Sequence, residues 1–408
     1  MSIVSAIRKT GIYKAYRKRS TKIRKYKYIK KLLPSVYNEE AKKPVEEKIV
    51  FMELRVDSLS ESFKYIHDRL KNEYDMDINI HYLRSGYTYQ KQYLENAEEF
   101  IRDMATAKLV FINDSNNLMS GFDVRPETKV FQLWHGCGAF KKFGWSTAEL
   151  LFGVDEETFY KYPTNRNLFC VTVSSPEVSW AYEEAMGIKS EEGIVRPTGV
   201  SRTDVFFDED YKKASCQKLQ NLIPAVKDKK VILYAPTYRG HLADCTSPDK
   251  LDFEALKNAF GDEYVLLVKH HFLVKETPDI PDTSEGSFAF DVTDMGMDMN
   301  ELLCAGDICI TDYSSLIFEY SLLLRPMIFF AYDIEDYHDW RGFYYDYDQL
   351  TPGPVCRTNE EIIDHILNID ERFNKQEVID FRYRFMRSCD GHATDRILEL
   401  AFGQSREG

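Results

Sequence analysis

The chain has 408 residues, 44% of them hydrophobic and 29% charged, a globular composition that excludes a disordered or collagen-like protein. No run of about 18 uninterrupted apolar residues occurs, which excludes a spanning helix. The net charge of −13 conceals a division: residues 1–38 hold 12 Lys/Arg and no acid, leaving −25 on the other 370, a body too acidic for a nucleic-acid-coating protein.

The leader places Val4, Ile7, Tyr16, Ile23, Tyr26, Ile29 and Leu33 at rough helical spacing with bases between them, and Gly11 is expected to interrupt the helix. Bases recur throughout it, so it contains no apolar core of a secretory signal. Pro34 is expected to end this segment, and residues 35–47 read as a linker.

From residue 48 short apolar runs alternate with helical patterns. The first series is KIVFMEL (48–54), DINIHYL (77–83), AKLVFIN (107–113), KVFQLWH (129–135), LFCVTVSS (168–175) and GIVRPTGV (193–200). After a polar stretch a second begins: KKVILYAPT (229–237), YVLLVKHH (264–271), FAFDV (288–292), DICITDYSS (307–315) and PMIFFAY (326–332). Unalternating apolar runs separated by helix-length segments predict parallel strands buried on both faces, hence an α/β chain of two doubly wound, Rossmann-like domains facing a cleft. The boundaries expected are 1–38 for the leader, 48–225 for a first α/β domain and 226–375 for a second. Residues 376–408 are expected to hold a C-terminal helix, spanning about 375 to 402, that packs back on the first domain. Eight scattered cysteines without a C-x-x-C pair, several in apolar runs, indicate a reducing compartment and no zinc site.

In open parallel sheets ligands gather at the carboxyl ends of strands, and four polar clusters fall there. Gln132-Leu133-Trp134-His135-Gly136 offers an imidazole suited either to general-base chemistry or to capping a strand. Gly136 would let backbone approach a ligand, and Lys141 adds charge just beyond. Arg239, in APTYRG, has the donor fork that recognises phosphate, or is a surface arginine. Lys269, His270 and His271 end the next strand. Adjacent residues there point to opposite sides, which disfavours metal chelation and leaves one histidine to meet a phosphate. Thr311, Asp312, Ser314 and Ser315 lead into a helical run, where hydroxyls both cap the helix and suit an anion. Glu319, one turn on, would reach a ribose hydroxyl or face solvent. No glycine-rich dinucleotide fingerprint, Walker A sequence or kinase set occurs.

Taken in order, FQLWHG, ILYAPTYRG, LLVKHHF, ITDYSSLIFEYSLLLRPMIFF, RGFYYDYDQLTPGP and DGHATDRIL resemble the CDP-glycerol glycerophosphotransferase family of teichoic acid primases and polymerases over about residues 48–400. The resemblance implies a GT-B-like fold and transfer of glycerol phosphate or ribitol phosphate from a CDP-alditol to a lipid-linked saccharide or polyol-phosphate acceptor, with release of CMP. It implies His135 as catalytic base and His271 as the second catalytic histidine. Arg239, Lys269, Thr311, Asp312, Ser314, Ser315, Glu319, Gly136 and Lys141 would bind substrate, with no metal and no cofactor beyond the co-substrate. Two departures, Cys137-Gly138 after the histidine and ELRVDSLSESF in the first turn, fall on the acceptor side. The basic leader is expected to dock on the anionic cytoplasmic face of a bacterial membrane, each base adding about 1 kcal/mol. The product would be a wall teichoic acid, a lipoteichoic-type polymer or a capsule. The chain is close in length to a two-domain core, which favours a primase or short-chain enzyme; a homo-oligomer is left open. The competing readings are a GT-B glycosyltransferase using a nucleotide sugar and a non-catalytic nucleotide-binding assembly protein.

Overall fold

The computed structural model describes residues 11–84, 90–148, 150, 156–240, 245–271, 274, 277–280 and 287–403. Twelve strands occur among them: β1 (Glu46–Glu53), β2 (Asp77–Tyr82), β3 (Ala107–Ile112), β4 (Lys129–Gln132), β5 (Cys170–Thr172), β6 (Val195–Arg196), β7 (Lys230–Tyr234), β8 (Tyr264–Val268), β9 (Ala289–Asp291), β10 (Ile308–Thr311), β11 (Met327–Phe330) and β12 (Val355–Cys356). They form two parallel six-stranded sheets, ordered β2-β1-β3-β4-β5-β6 and β12-β11-β10-β7-β8-β9. Their interior residues show why the runs do not alternate: Ile49, Val50, Phe51 and Met52 are all fully buried, as a strand covered on both faces requires. In the second sheet Tyr234 of β7 pairs with both Ile310 of β10 and Val268 of β8. The segments that follow these three strands therefore leave the same edge at the same level.

Every expected strand is present, all with shorter limits except β1, which begins two residues earlier. The run at 193–200 keeps only Val195–Arg196 as strand, because Pro197 has no N–H to donate and Gly199 turns at φ 83°. β12 went unpredicted, being two residues long and carrying no periodicity. The change of sheet falls between Arg196 and Lys230, whereas the compact units divide earlier. One comprises the chain to Trp134 with Val154–Val171 and Met186–Ile188; the other comprises His135–Gly153, Thr172–Ala185 and Lys189–Gly408.

Two expectations about helices are corrected. Pro34 does not end the leader: an α-helix over Gly11–Lys27 passes into a π-helical turn, Tyr28–Leu32, and then into a helix over Leu33–Glu40. Proline is accepted in the first turn of that last helix, where its missing N–H is not needed, and the wider π turn before it relieves the clash of its ring with the preceding carbonyls. The first residues of the supposed linker are helix instead, and of its residues Val36 and Tyr37 are buried. Leu33 and Tyr37 are buried, the Tyr37 ring stacks 4.3 Å from Phe122, and Tyr28 Oη donates to the Leu94 carbonyl at 2.8 Å. Residues 1–10 of the leader, and with them any break of the helix at Gly11, and residues 404–408 of the expected C-terminal segment lie outside the described residues. The C-terminal helix is two, Lys375–Met386 and Ala393–Phe402, parted by a turn in which Gly391 takes φ 91°. They hold to earlier parts of their own unit: Ser174 Oγ donates to the Phe385 carbonyl at 2.7 Å, and Arg396 Nε to the Thr198 carbonyl at 2.7 Å.

Seven of the eight cysteines are buried, and all are free thiols. Burial pushes Cys304 and Cys356 up to about 12, which keeps them protonated and inert.

Candidate active site

The turn after β10 is built around a buried carboxylate. Thr311 Oγ1 donates to the Ala235 carbonyl at 2.7 Å, tying the end of β10 to that of β7. Asp312 Oδ1 accepts from the backbone N–H of Thr237 at 2.8 Å and of Tyr313 at 2.6 Å, so one carboxylate orients both polar loops. Its other oxygen lies 2.9 Å from Arg239 Nη2. Ser314 is half-buried, and its Oγ accepts from Leu316 N at 3.4 Å. Ser315 is exposed at the start of the helix Leu316–Ser321 and makes no side-chain cap. The hydroxyl that points out of the fold is therefore that of Ser315.

Arg239 presents little of its donor fork to a phosphate. Its Nε and Nη2 donate to Asp333 at 2.6 and 3.0 Å, and its Nη1 to the Thr237 carbonyl at 2.5 Å. The guanidinium also lies over the rings of Tyr313 and Tyr337, at 5.2 and 5.1 Å. Those two rings stack at 3.9 Å, and Tyr313 Oη donates to Asp333 at 2.9 Å. Burial and then Asp333 push the Tyr313 phenol well up, so it remains a donor. Lys141 joins this cluster from its far side, its Nζ 5.3 Å from the Tyr337 ring.

The loop after β4 begins with Trp134 at φ 60°, a left-handed conformation that is costly for a bulky residue. Partly exposed His135 follows, then Gly136, where an added Cβ would stand 3.8 Å from Ser315 Oγ. The loop that carries the predicted base thus borders the TDYSS turn directly. Gly138 has φ 61°, donates its N–H to Ser174 Oγ at 3.0 Å, and has the Phe318 ring 2.4 Å from where a Cβ would stand. Only glycine fits there, which explains why Gly138 stands in this loop.

Arg202 was missed by the sequence reading. It is almost buried, its side chain 10% exposed, and its Nη1 donates to the main-chain carbonyl of His135 at 2.7 Å. Its Nη2 reaches Asn300 Oδ1 at 3.2 Å and Glu319 Oε1 at 3.4 Å. The available signal was an arginine in GVSRTD, just past an expected strand end like Arg239. Glu319 does not face solvent: its side chain is 3% exposed, paired with Arg202 through one oxygen, while Oε2 has no hydrogen-bond partner. Cys137 is buried beside Cys389 and Glu319.

After β8 the two histidines separate as strand alternation requires. His270 is buried, with Nδ1 2.6 Å from Ser247 Oγ and Nε2 4.0 Å from Asp291. Burial lowers its pKa against the pull of Asp291, so it is neutral. His271 is half-buried, its ring 4.9 Å from that of Tyr238. Lys269 does not project freely, because its Nζ donates to the carbonyls of Thr293 at 2.8 Å and Met297 at 3.4 Å. The structure thus brings Gly136 to Ser315, Thr311 to Ala235 and Asp312 to Arg239, while Lys269 and His270 serve the 291–297 turn. Among the described residues no cluster of metal-ligating side chains occurs.

Comparison with known proteins places these features. A family profile described as CDP-Glycerol:Poly(glycerophosphate) glycerophosphotransferase matches residues 35–403. The chain is 37% identical over 365 residues to a teichoic acid poly(ribitol-phosphate) polymerase of Bacillus spizizenii, covering 88% of this chain and 57% of that one. The chain thus spans little more than half the length of that relative. It is 31% identical to a teichoic acid ribitol-phosphate primase of the same organism, covering 92% of this chain and 93% of that one. Among solved structures, the wall teichoic acid polymerase TagF superposes with a TM-score of 0.75 at 24% identity, covering 96% of this chain and 97% of that one. That likeness shows the fold, which is GT-B-like as expected.

Proposed function

The chain belongs to the CDP-glycerol:poly(glycerophosphate) glycerophosphotransferase family, and from that premise we propose that it transfers an alditol phosphate from a CDP-alditol to a hydroxyl of a lipid-linked acceptor in teichoic acid synthesis. The observation that carries this reading is the placement of Gly136 against Ser315 Oγ, which sets the His135 loop beside the hydroxyls of the TDYSS turn. The acceptor oxygen attacks the β-phosphorus of the donor. A new P–O bond forms, the bond from that phosphorus to the bridging oxygen breaks, and CMP departs with the electron pair. His135 takes the acceptor proton, a contribution of roughly 10²–10⁴-fold. Ser314, Ser315 and His271 hold the diphosphate and steady its charge. Arg239 acts one step removed, by fixing Asp312 and through it the turn. Buried Glu319 also acts one step removed, by holding Arg202 against the His135 carbonyl.

Relatives that match most of this chain include two with ribitol-phosphate names, so CDP-ribitol is the first donor to test, with CDP-glycerol beside it. The assay is CMP release with a lipid-linked acceptor, with products read by mass spectrometry. His135→Ala should lose at least about a hundredfold in kcat with its fold intact. Release of UDP or GDP with a glycosidic product would replace this reading by the nucleotide-sugar one. Among the described residues no helix is long and apolar enough to cross a membrane. The 12 Lys/Arg and no acid of residues 1–38 support a place on the cytoplasmic membrane face, held by this basic leader.

A further inference from the structure

The leader meets the first compact unit in a cationic face that the transfer chemistry does not use. Lys30, in the π turn, donates its Nζ to the Ser120 carbonyl at 2.6 Å. Arg166 Nη1 reaches the same carbonyl at 3.4 Å, which puts the two charged heads no more than about 6 Å apart. Three ammonium groups crowd one ring: Lys25, Lys30 and Lys161 have Nζ 4.4, 5.8 and 5.9 Å from the centroid of Tyr162. Asp123 meets this group through Arg166 Nη2 at 2.5 Å, but it is 82% exposed and screened accordingly. Burial and then the charge of Arg166 pull the Lys30 pKa down, the signature of a cation crowded by its own kind.

The arrangement is rigid. Gly121 lies so close under the leader that a Cβ there would stand 2.2 Å from the Ile29 carbonyl, which fixes the Ser120 turn against it. Around the cations stand exposed amphipathic and apolar side chains, Ile23, Tyr26, Leu32 and, 72% exposed, Tyr160. Such rings and aliphatic groups prefer the boundary between headgroups and acyl chains. A soluble anion would make no use of them.

Resting on the membrane reading above, we propose that Lys30, Arg166, Lys161 and Lys25 form a binding site for the phosphate of an anionic lipid headgroup, with Ile23, Tyr26 and Tyr160 entering the interface around it. A phosphate accepting from Lys30 and Arg166 at charge-assisted lengths of about 2.8 Å spans their separation and relieves their mutual repulsion. The site differs from general attraction to a negative surface because it selects phosphate over carboxylate.

Vesicle sedimentation of the full chain tests it. One set contains phosphatidylcholine with phosphatidic acid, a second phosphatidylcholine with cholesteryl hemisuccinate at matched surface potential, and a third phosphatidylcholine alone. Wild type should partition about tenfold more strongly on phosphate than on carboxylate vesicles, a difference of 1.4 kcal/mol. Lys30→Gln/Arg166→Gln and the more exposed pair Lys25→Gln/Lys161→Gln should bring that ratio to near one, while Lys42→Gln/Lys43→Gln should keep it. Because the readout is a ratio at equal surface potential, the loss of two charges cancels from it. An unchanged ratio in both site variants, or a ratio of one in wild type, overturns the site. Equal binding to all three vesicle types overturns the membrane reading instead. A rise in melting temperature with inorganic phosphate alone, absent from the site variants, assigns the site to a soluble anion and overturns the lipid assignment.

Discussion

Replacing Arg202 by methionine removes the guanidinium from beneath the His135 loop while roughly keeping its volume. The pair it leaves is buried, with side-chain exposures of 10% and 3% and a separation of 3.4 Å. At an effective dielectric of 20 the attraction across that distance is about 5 kcal/mol, and breaking such a pair from one side costs about 3–5 kcal/mol, because the other charge stays buried. The hydrogen bonds to the His135 carbonyl and Asn300 add about 1 kcal/mol each, part of which relaxation recovers. A destabilisation of about 4 kcal/mol in a chain of 408 residues should lower the melting temperature by roughly 5 °C in calorimetry of the purified protein. The decisive comparison is Arg202→Met/Glu319→Gln. Neutralising Glu319 removes the orphaned charge, so the double variant should recover about half of the loss despite carrying one more substitution. CMP release should fall in kcat more than donor affinity does, since the carbonyl lost is that of the proposed base. Arg202→Met within about 1 kcal/mol of wild type, or a double variant no more stable than it, would refute the account of this cluster.

Three further outcomes follow from the same geometry. Arg239→Lys cannot reproduce the planar contacts to Asp333 and Asp312, so donor KM should rise by about tenfold or more, and near-normal kinetics would show that the turn holds itself. Gly138→Ala drives a methyl into the Phe318 ring at a positive φ and should disturb the His135 loop, read as lost turnover with circular dichroism unchanged. His270 has a folded pKa below its ordinary 6.5, so on acidification the unfolded chain takes up a proton first. Its contribution is complete above pH 6.5, is lost as pH falls below that value, and levels off below the folded pKa. In His270→Gln, urea midpoints should therefore fall less between pH 6.5 and 5 than in wild type.

The fold was legible because parallel strands covered on both faces leave unbroken apolar runs, and ten of the twelve strands here are at least three residues long. β12 escaped because two residues carry no period, and β6 was drawn too long because Pro197 ends it. Pro34 misled because a proline stops an α-helix unless a wider turn precedes it, and nothing in YIKKL announces a π turn. The positions of the site were legible from strand ends, its internal pairing less so. Arg239 reads as a phosphate ligand until Asp333, 94 residues later, claims it. Arg202 and Glu319 find each other across 117 residues, and no local pattern marks two lone charges as a buried pair. Alternation along an extended segment put His270 and His271 on opposite sides without saying which meets a ligand, and that choice came from the resemblance to the family.

The π turn at Tyr28–Leu32 alters what kind of attachment the leader makes. A floppy basic tail would act as a tether, letting the body drift at variable height and tilt. Here the 17 residues of Gly11–Lys27, about 25 Å of helix, are continuous with a segment whose Leu33 and Tyr37 are core. On the proposed membrane reading they are a strut, and a headgroup held at its inner end, by Lys25 and Lys30, is delivered as a fixed orientation of the first unit. Removing residues 1–38 would therefore unseat core packing, whereas removing residues 1–27 takes Ile23, Lys25 and Tyr26 from the proposed site and leaves Leu33 and Tyr37 in the core.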